Sequence, residues 1–175
     1  VIRQKIKDKG QQEFAKSLQA AYPAEFGFAN LELDSLKQPD QPLSLGYDIE
    51  IKPDADIFYF NPMLSEGYKE NPFKAAQRFY PVEMPSATDE TYVMNMEIPQ
   101  GYDVDELPKS AKVLFNENEG FFEYLVQKNE DNIQFRARVK LAKANYKPED
   151  YDSLREFFGF VVKKENEQIV FKKKK

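Results

Sequence analysis

Three groups of residues have the types and spacing to do chemistry. The carboxylates Asp48, Glu50, Asp54 and Asp56, in DIEIKPDAD, form the densest acidic cluster, and converging carboxylate oxygens are what a Ca²⁺ site requires. Two Asn-Pro pairs, Asn61-Pro62 and Asn71-Pro72, bound a polar stretch within FYFNPMLSEGYKENPFK (58–74), which reads either as a binding loop or as the connection between two strands. Arg78 is a lone charge inside the apolar run RFYPVEMP. The chain contains no Cys and no His, so Cys-His and Ser-His-Asp catalysis, imidazole-ligated zinc and haem, and iron–sulfur ligation all lack their side chains. Carboxylate chemistry, Lys or Tyr acid–base work, oxygen-ligated Ca²⁺ or Mg²⁺ and non-catalytic binding remain.

Each group has a plainer explanation. Asp48 and Glu50 fall on the outward side of an alternating strand, Lys52 interrupts the cluster, and no Gly supplies the sharp turn of a Ca²⁺ loop, so a wetted sheet face accounts for it better. A glycosidase pair could be drawn from any chain with 30 Asp and Glu, and without a pocket the pattern carries no signal. Asn71-Pro72-Phe73 matches a short motif bound by some eukaryotic adaptor domains, but Asn and Pro together also start turns. For Arg78 two readings stay open. Its guanidinium is half buried and paired with nearby carboxylates or with carbonyls of the Asn-Pro segment, or it points outward from a strand with Phe79 inward.

The elements that must position these residues change character along the chain. Gln11 to Tyr22 places Phe14, Leu18 and Ala21 on one helical face, and Gly10 interrupts any helix continuing from VIRQKIKDKG. From Phe26 onward the period shortens to two. Leu43 to Ile51, Tyr92 to Ile98 and Ile133 to Leu141 alternate strictly, and Ala29 to Leu33, Asp56 to Phe60, Arg78 to Val82, Ala111 to Phe115, Phe121 to Gln127 and Gln168 to Phe171 are less regular candidates. Eight or nine short strands follow, which favours a mainly β antiparallel sandwich with a short N-terminal helix and a C-terminal helix before the last strand. A loop over Asn129 to Asn132 sets Lys128 against Ile133 and lays Val126, Tyr124 and Phe122 opposite Phe135, Ala137 and Val139, with Glu123 facing Arg138 on the outer side. Pro99 and Gly101 turn the chain after Ile98. Lys147 to Phe160 is a helix with Pro148 in its first turn and Tyr151, Leu154, Phe157 and Phe158 on one stripe. The terminal KKKK reads as a solvated end rather than a nuclear address.

Hydrophobic residues at 41% and aromatics at 14% require a folded chain, and most of the 10 Tyr and 15 Phe fall at inward strand positions, which argues against sugar stacking. A net charge of −5 with interspersed signs does not favour nucleic acid or an anionic membrane. No apolar run reaches the roughly 18–20 residues of a membrane span. The chain opens on Val1 without a signal sequence and is expected to be a fragment of a longer protein; the lack of Cys fits cytosol or periplasm alike.

The ordered segments LSLGYDIEI, FYFNPML, ENPFK with RFYPVEMP, MEIPQGYDVDELPKS and NYKPEDYDSLREFFGFVVKKENEQIVFKK together resemble the C-terminal domain of unknown function that follows the transglutaminase-like core in secreted multidomain proteins of Gram-negative, Bacteroidetes-type bacteria. The resemblance implies a parent with an N-terminal β-rich domain and a papain-like core carrying Cys, His and Asp, for which this chain has no matching positions. It implies that residues 1–24 are the tail of the preceding region or a linker, that 25–175 form an accessory sandwich opened by Leu43 to Ile51, and that the protein is periplasmic or extracellular. No catalytic, cofactor-binding or metal residue is assigned, and no cofactor is expected. Arg78, Asn61, Pro62, Asn71 and Pro72 are the structural candidates. The expected role is a non-catalytic domain of a transglutaminase-like or cysteine-protease-like parent, packing on its core and helping to position a protein or peptidoglycan-derived substrate. The alternative is a stand-alone adhesive or carbohydrate-binding module using exposed aromatics.

Overall fold

The computed structural model describes residues 2–23 and 26–175, so the expected domain boundary at 24/25 lies outside the described residues. The chain forms two compact units, one ending at Asp54 and the other spanning Ala55–Lys175. The smaller unit contains helices α1 (Ile2–Lys9) and α2 (Gln11–Gln19), parted by Gly10 at φ 83°, where a residue without Cβ enters the left-handed region freely. Ile6 and Phe14 are buried, while Ala21 lies past the helix end and is exposed. Strands β1 (Gly27–Asp34) and β2 (Ser44–Glu50) pair antiparallel as a two-stranded ribbon. Arg3 Nη2 closes their connection by donating to the carbonyls of Ser35, Gln38 and Gln41. The strand expected to open the sandwich is therefore paired with β1 alone and grouped with the helices.

The larger unit runs β3 (Ile57–Phe60), β4 (Val82–Glu83), β5 (Thr88–Glu97), β6 (Tyr102–Glu106), β7 (Ala111–Phe115), β8 (Gly120–Asn129), β9 (Asn132–Leu141), β10 (Asn145–Tyr146), a 3₁₀ turn at Pro148–Asp150, α3 (Tyr151–Glu165) and β11 (Ile169–Lys173). Its sheets are β5-β9-β8-β7, β3-β11-β6 and the short pair β10-β4, all antiparallel. With β1-β2, the described residues make a mainly β fold of eleven strands in four antiparallel sheets.

The register of β8 and β9 follows from their alternation. Lys128 lies opposite Ile133, Val126 opposite Phe135, Tyr124 opposite Ala137 and Phe122 opposite Val139. Slipping by one residue would turn this apolar set to water. Asn129 and Asn132 pair with each other, so the connection is two residues rather than four. Glu123 does face Arg138, yet it bonds diagonally to Arg136 at 3.2 Å, while Arg138 makes a two-pronged contact with Asp89 on β5 at 2.9 Å. A fork-shaped guanidinium gains more from a carboxylate that takes both N–H groups.

The inward face of this sheet is covered by α3. Leu154, Phe157, Phe158 and Val161 are buried in one cluster with Phe122, Tyr124, Phe135, Ala137 and Val139, with Phe157 tilted against Phe115 and Phe160 edge-on to Phe122. The apolar stripe of α3 continues past Phe160 through Val161 to Glu165, one turn beyond the expected end. Two strands were not expected. β6 has only Tyr102 and Val104 between acids, and β10 is a two-residue bridge. The turn before β6 follows the expected signal: Tyr102 N–H donates to Pro99 O, with Gly101 at φ 84°. The basic tail begins within β11, whose Lys172 and Lys173 pair with Asp103 and Tyr102.

Gly120 sits where β8 meets both neighbours, and a Cβ there would lie 2.5 Å from the Lys140 carbonyl oxygen and 2.9 Å from the Leu141 side chain. Backbone cannot yield as a flexible side chain can. Gly120→Ala is expected to lower the unfolding free energy by about 1–3 kcal/mol, read as a fall in the urea midpoint; an unchanged midpoint contradicts this packing.

Candidate functional site

The two Asn-Pro pairs do the same thing twice. Asn61 Oδ1 accepts the backbone N–H of Met63 at 2.8 Å, and Asn71 Oδ1 accepts that of Phe73 at 2.8 Å. Such Asx turns suit Asn-Pro, because Pro fixes the middle residue and needs no donor of its own. The remaining amide of each Asn reaches α3: Asn61 Nδ2 donates to Glu165 O at 3.0 Å and Asn71 Nδ2 to Arg155 O at 2.8 Å. The residue after each Pro is an apolar anchor, Met63 or Phe73, buried in the main core. Pro62 is fully buried, whereas Pro72 is exposed. Burial of Phe73 against Tyr151 and Phe158 removes the adaptor-motif reading, which needs that ring free.

Between these clamps the loop crosses the C-terminal end of α3. Glu165 Oε2 accepts the Tyr68 N–H at 2.7 Å, and Asn166 Nδ2 donates to Tyr68 O at 3.2 Å. Tyr68 stacks edge-on to Phe158, and its hydroxyl donates to Glu90 on β5 at 3.2 Å. Gly67 lies close to Met63 and Glu165; an added Cβ would come within 3.0 Å of Met63 Cβ. Loop and helix form the walls of a partly open cavity of about 210 Å³ lined by Asn61, Met63, Leu64, Gly67, Tyr68, Glu165 and Asn166, with Lys69 exposed at its edge.

Glu165 is the chemically unusual group. Its side chain is 3% exposed, and desolvation, opposed by the Tyr68 N–H and reinforced by Glu90, lifts its carboxyl from 4.5 to about 7. Burial likewise raises the Tyr68 phenol, with Glu90 adding to it. The neighbouring Lys164 is buried too but fully engaged, donating to Lys109 O at 2.8 Å, pairing with Glu167 and lying 4.7 Å above the Tyr124 ring. Glu165 lies beyond the helix expected over Lys147 to Phe160 and was not among the candidate residues. The signal was present, since Leu154, Phe158, Val161 and Glu165 follow one helical face.

The other candidates are placed elsewhere. Arg78 is exposed and its Nε donates only to the Tyr80 carbonyl at 3.2 Å. Among the described residues it forms no ion pair, and the segment is loop until Val82. Phe79 at 81% and Tyr80 at 79% exposure both project from it, so neither reading of Arg78 holds. In the acidic cluster, Asp48 accepts from Asn30 Nδ2 and Glu50 pairs with Lys52 at 3.2 Å. Among the described residues no three acidic side chains converge as metal ligands, and no helix is long and apolar enough to cross a membrane.

A family model for a domain of unknown function with a solved structure, DUF3858, matches residues 56–171. The chain belongs to this family. The match takes in both clamps, α3 and the first three residues of β11, and coincides closely with the larger unit. No curated protein is detectably similar. Among solved structures, a crystal structure described as a "putative protease" from Parabacteroides distasonis ATCC 8503 superposes with a TM-score of 0.53 at 16% identity, covering 66% of this chain. At that identity the likeness concerns fold, and it spans 23% of the other protein's length.

Two outcomes test the clasp. Asn61→Ala and Asn71→Ala each lose a turn bond and a tie to α3, and each is expected to cost about 1–2 kcal/mol in denaturant unfolding, with Asn→Asp, which keeps only the acceptor, falling between. For Glu165 the folded carboxyl titrates higher than the unfolded one, so its contribution is full below pH 4.5 and is lost as pH rises through about 7. Stability should fall by roughly 2–3 kcal/mol across that window, and Glu165→Gln should flatten the profile; an equal slope in the variant contradicts the assignment.

Proposed function

We propose that this chain is a non-catalytic accessory domain of a larger, exported, transglutaminase-like or cysteine-protease-like protein of the kind found in Bacteroidetes-type bacteria, packing on the catalytic core and helping to position a protein or peptidoglycan-derived substrate. The observation that carries this reading is the unequal coverage of the structural match: two thirds of this chain superposes on less than a quarter of a protein described as a protease. The absence of Cys and His from the sequence supports it, because a thiol nucleophile and its imidazole base would have to come from elsewhere in such a parent. The organisation of the larger unit supports it too, since the loop between β3 and β4 is committed to holding α3.

A second reading, an adhesive or carbohydrate-binding module, is favoured by one feature, the Phe79-Tyr80 tip. Aromatic faces held in solvent are what a sugar ring stacks on.

Cross-linking mass spectrometry on the parent protein separates the two. The accessory reading expects reproducible cross-links between lysines of this chain and the catalytic core, and no hydrolase or acyl-transfer activity from the chain alone. Saturable glycan-array binding abolished by Phe79→Ala and Tyr80→Ala, without core cross-links, would overturn it in favour of the second.

A further inference from the structure

The cavity over the end of α3 has an uneven inventory of hydrogen-bonding groups. Its side-chain amide nitrogens are largely engaged: Asn166 Nδ2 uses both N–H groups, on Tyr68 O and Val162 O, and Asn61 Nδ2 uses one of its two, on Glu165 O. The Tyr68 hydroxyl donates away, to Glu90. Asn61 Oδ1 is also occupied, by Met63 N–H. What the lining side chains still offer is acceptor capacity: the second oxygen of the Glu165 carboxylate, beyond the one held by Tyr68 N–H, and Asn166 Oδ1. Glu165 forms no ion pair among the described residues, in contrast to Lys164 beside it, and Glu90 adds a second negative charge nearby. Tyr68 contributes an aromatic wall, which also favours cations. A pocket with free acceptors and, above about pH 7, an ionised carboxylate, with no convergence of three acidic ligands for a metal among the described residues, fits a compact group with several N–H donors and one positive charge.

We infer that this cavity, about 210 Å³ in volume, binds a primary ammonium group, with Glu165 as its counter-charge and Asn166 Oδ1 as a second acceptor. The ammonium could be carried by a lysine side chain, a peptide amino terminus or a free amine, which share this chemistry. A cation bound beside Glu165 would move its carboxyl back toward the usual carboxylate range. Among the described residues the cation at the rim is the exposed Lys69, and it makes no ion pair with Glu165. The proposal is independent of the accessory role and survives or fails separately.

The test is an NMR titration of the full chain with n-butylamine at a pH above the Glu165 midpoint. Saturable shifts of the Tyr68, Glu165 and Asn166 amides are expected, with a Kd of about 1–10 mM. The Glu165 midpoint should fall by about one unit, equal to about tenfold tighter binding to the ionised form. Glu165→Gln, which keeps an acceptor for the Tyr68 N–H but loses the charge, should bind at least about tenfold more weakly. Tetramethylammonium, a cation without N–H groups, should do the same in the unmodified chain, which keeps the test open if the variant folds poorly. Titration with Nα-acetyl-lysine-N-methylamide and with alaninamide then tells a side-chain from a terminal source. The proposal is overturned if butylamine gives no saturable shift, if Glu165→Gln or tetramethylammonium binds as well, or if Lys69→Met raises the Glu165 midpoint while butylamine leaves it unmoved, since the cavity's cation would then be the chain's own.

Discussion

The larger unit depends on covering one face of one sheet. β8 and β9 present Phe122, Tyr124, Ile133, Phe135, Ala137, Val139 and Leu141 inward, all buried, and an antiparallel sheet with such a face is stable only beneath another layer. α3 is that layer for the central strands. A single helix on a sheet leaves its ends open, however, and its last carbonyls have no partners within the helix. The loop between β3 and β4 lies across α3: Asn61 supplies a donor to the terminal Glu165 carbonyl, and Asn71 ties the loop to the helix nearer its start, at the Arg155 carbonyl.

The clasp joins short-range and long-range order. Each Asx turn forms locally, between residues two apart, but its second amide bond reaches 104 residues for Asn61 and 84 for Asn71. Each local turn thus aims a side chain at the helix, and Met63 and Phe73 insert beside it. Since β11 follows α3 and pairs with β3, which precedes the loop, clamp, helix and three-stranded sheet are closed into one circuit. Disturbing any member loosens the others.

Burying Glu165 within this circuit costs stability once the carboxyl ionises, and the aromatic packing around it must offset that cost. Groups held at such expense in a cavity are where binding and regulation are most readily built. The charged pairs elsewhere follow a different logic: Asp89 with Arg138 and Lys140 on the strands of the main sheet, and Glu119 with Lys143 in the segments just beyond its strands, are open to solvent, where screening leaves each pair little net effect. There, shape and register decide.

Strict alternation was enough to place β5 and β9, and the apolar set of the less regular β8 fixed its pairing with β9, because a pleated strand with one buried face leaves no second register. Helical spacing did the same for the stripe of α3, and Gly10 for the break between α1 and α2. β6 escaped because two apolar residues among acids carry too little period, and Leu43 to Ile51 misled because alternation says that a face is buried without saying against what. Arg78 was misjudged for a related reason: an apolar run, RFYPV, reads as strand, but Phe79 and Tyr80 find no layer to cover them. The Asn-Pro pairs were legible as turns from their own chemistry. That both turns reach α3, and that Glu165 lies between them with its charge unpaired, was decided only when segments some 100 residues apart were folded together, since desolvation and long-range hydrogen bonds have no signature in local sequence.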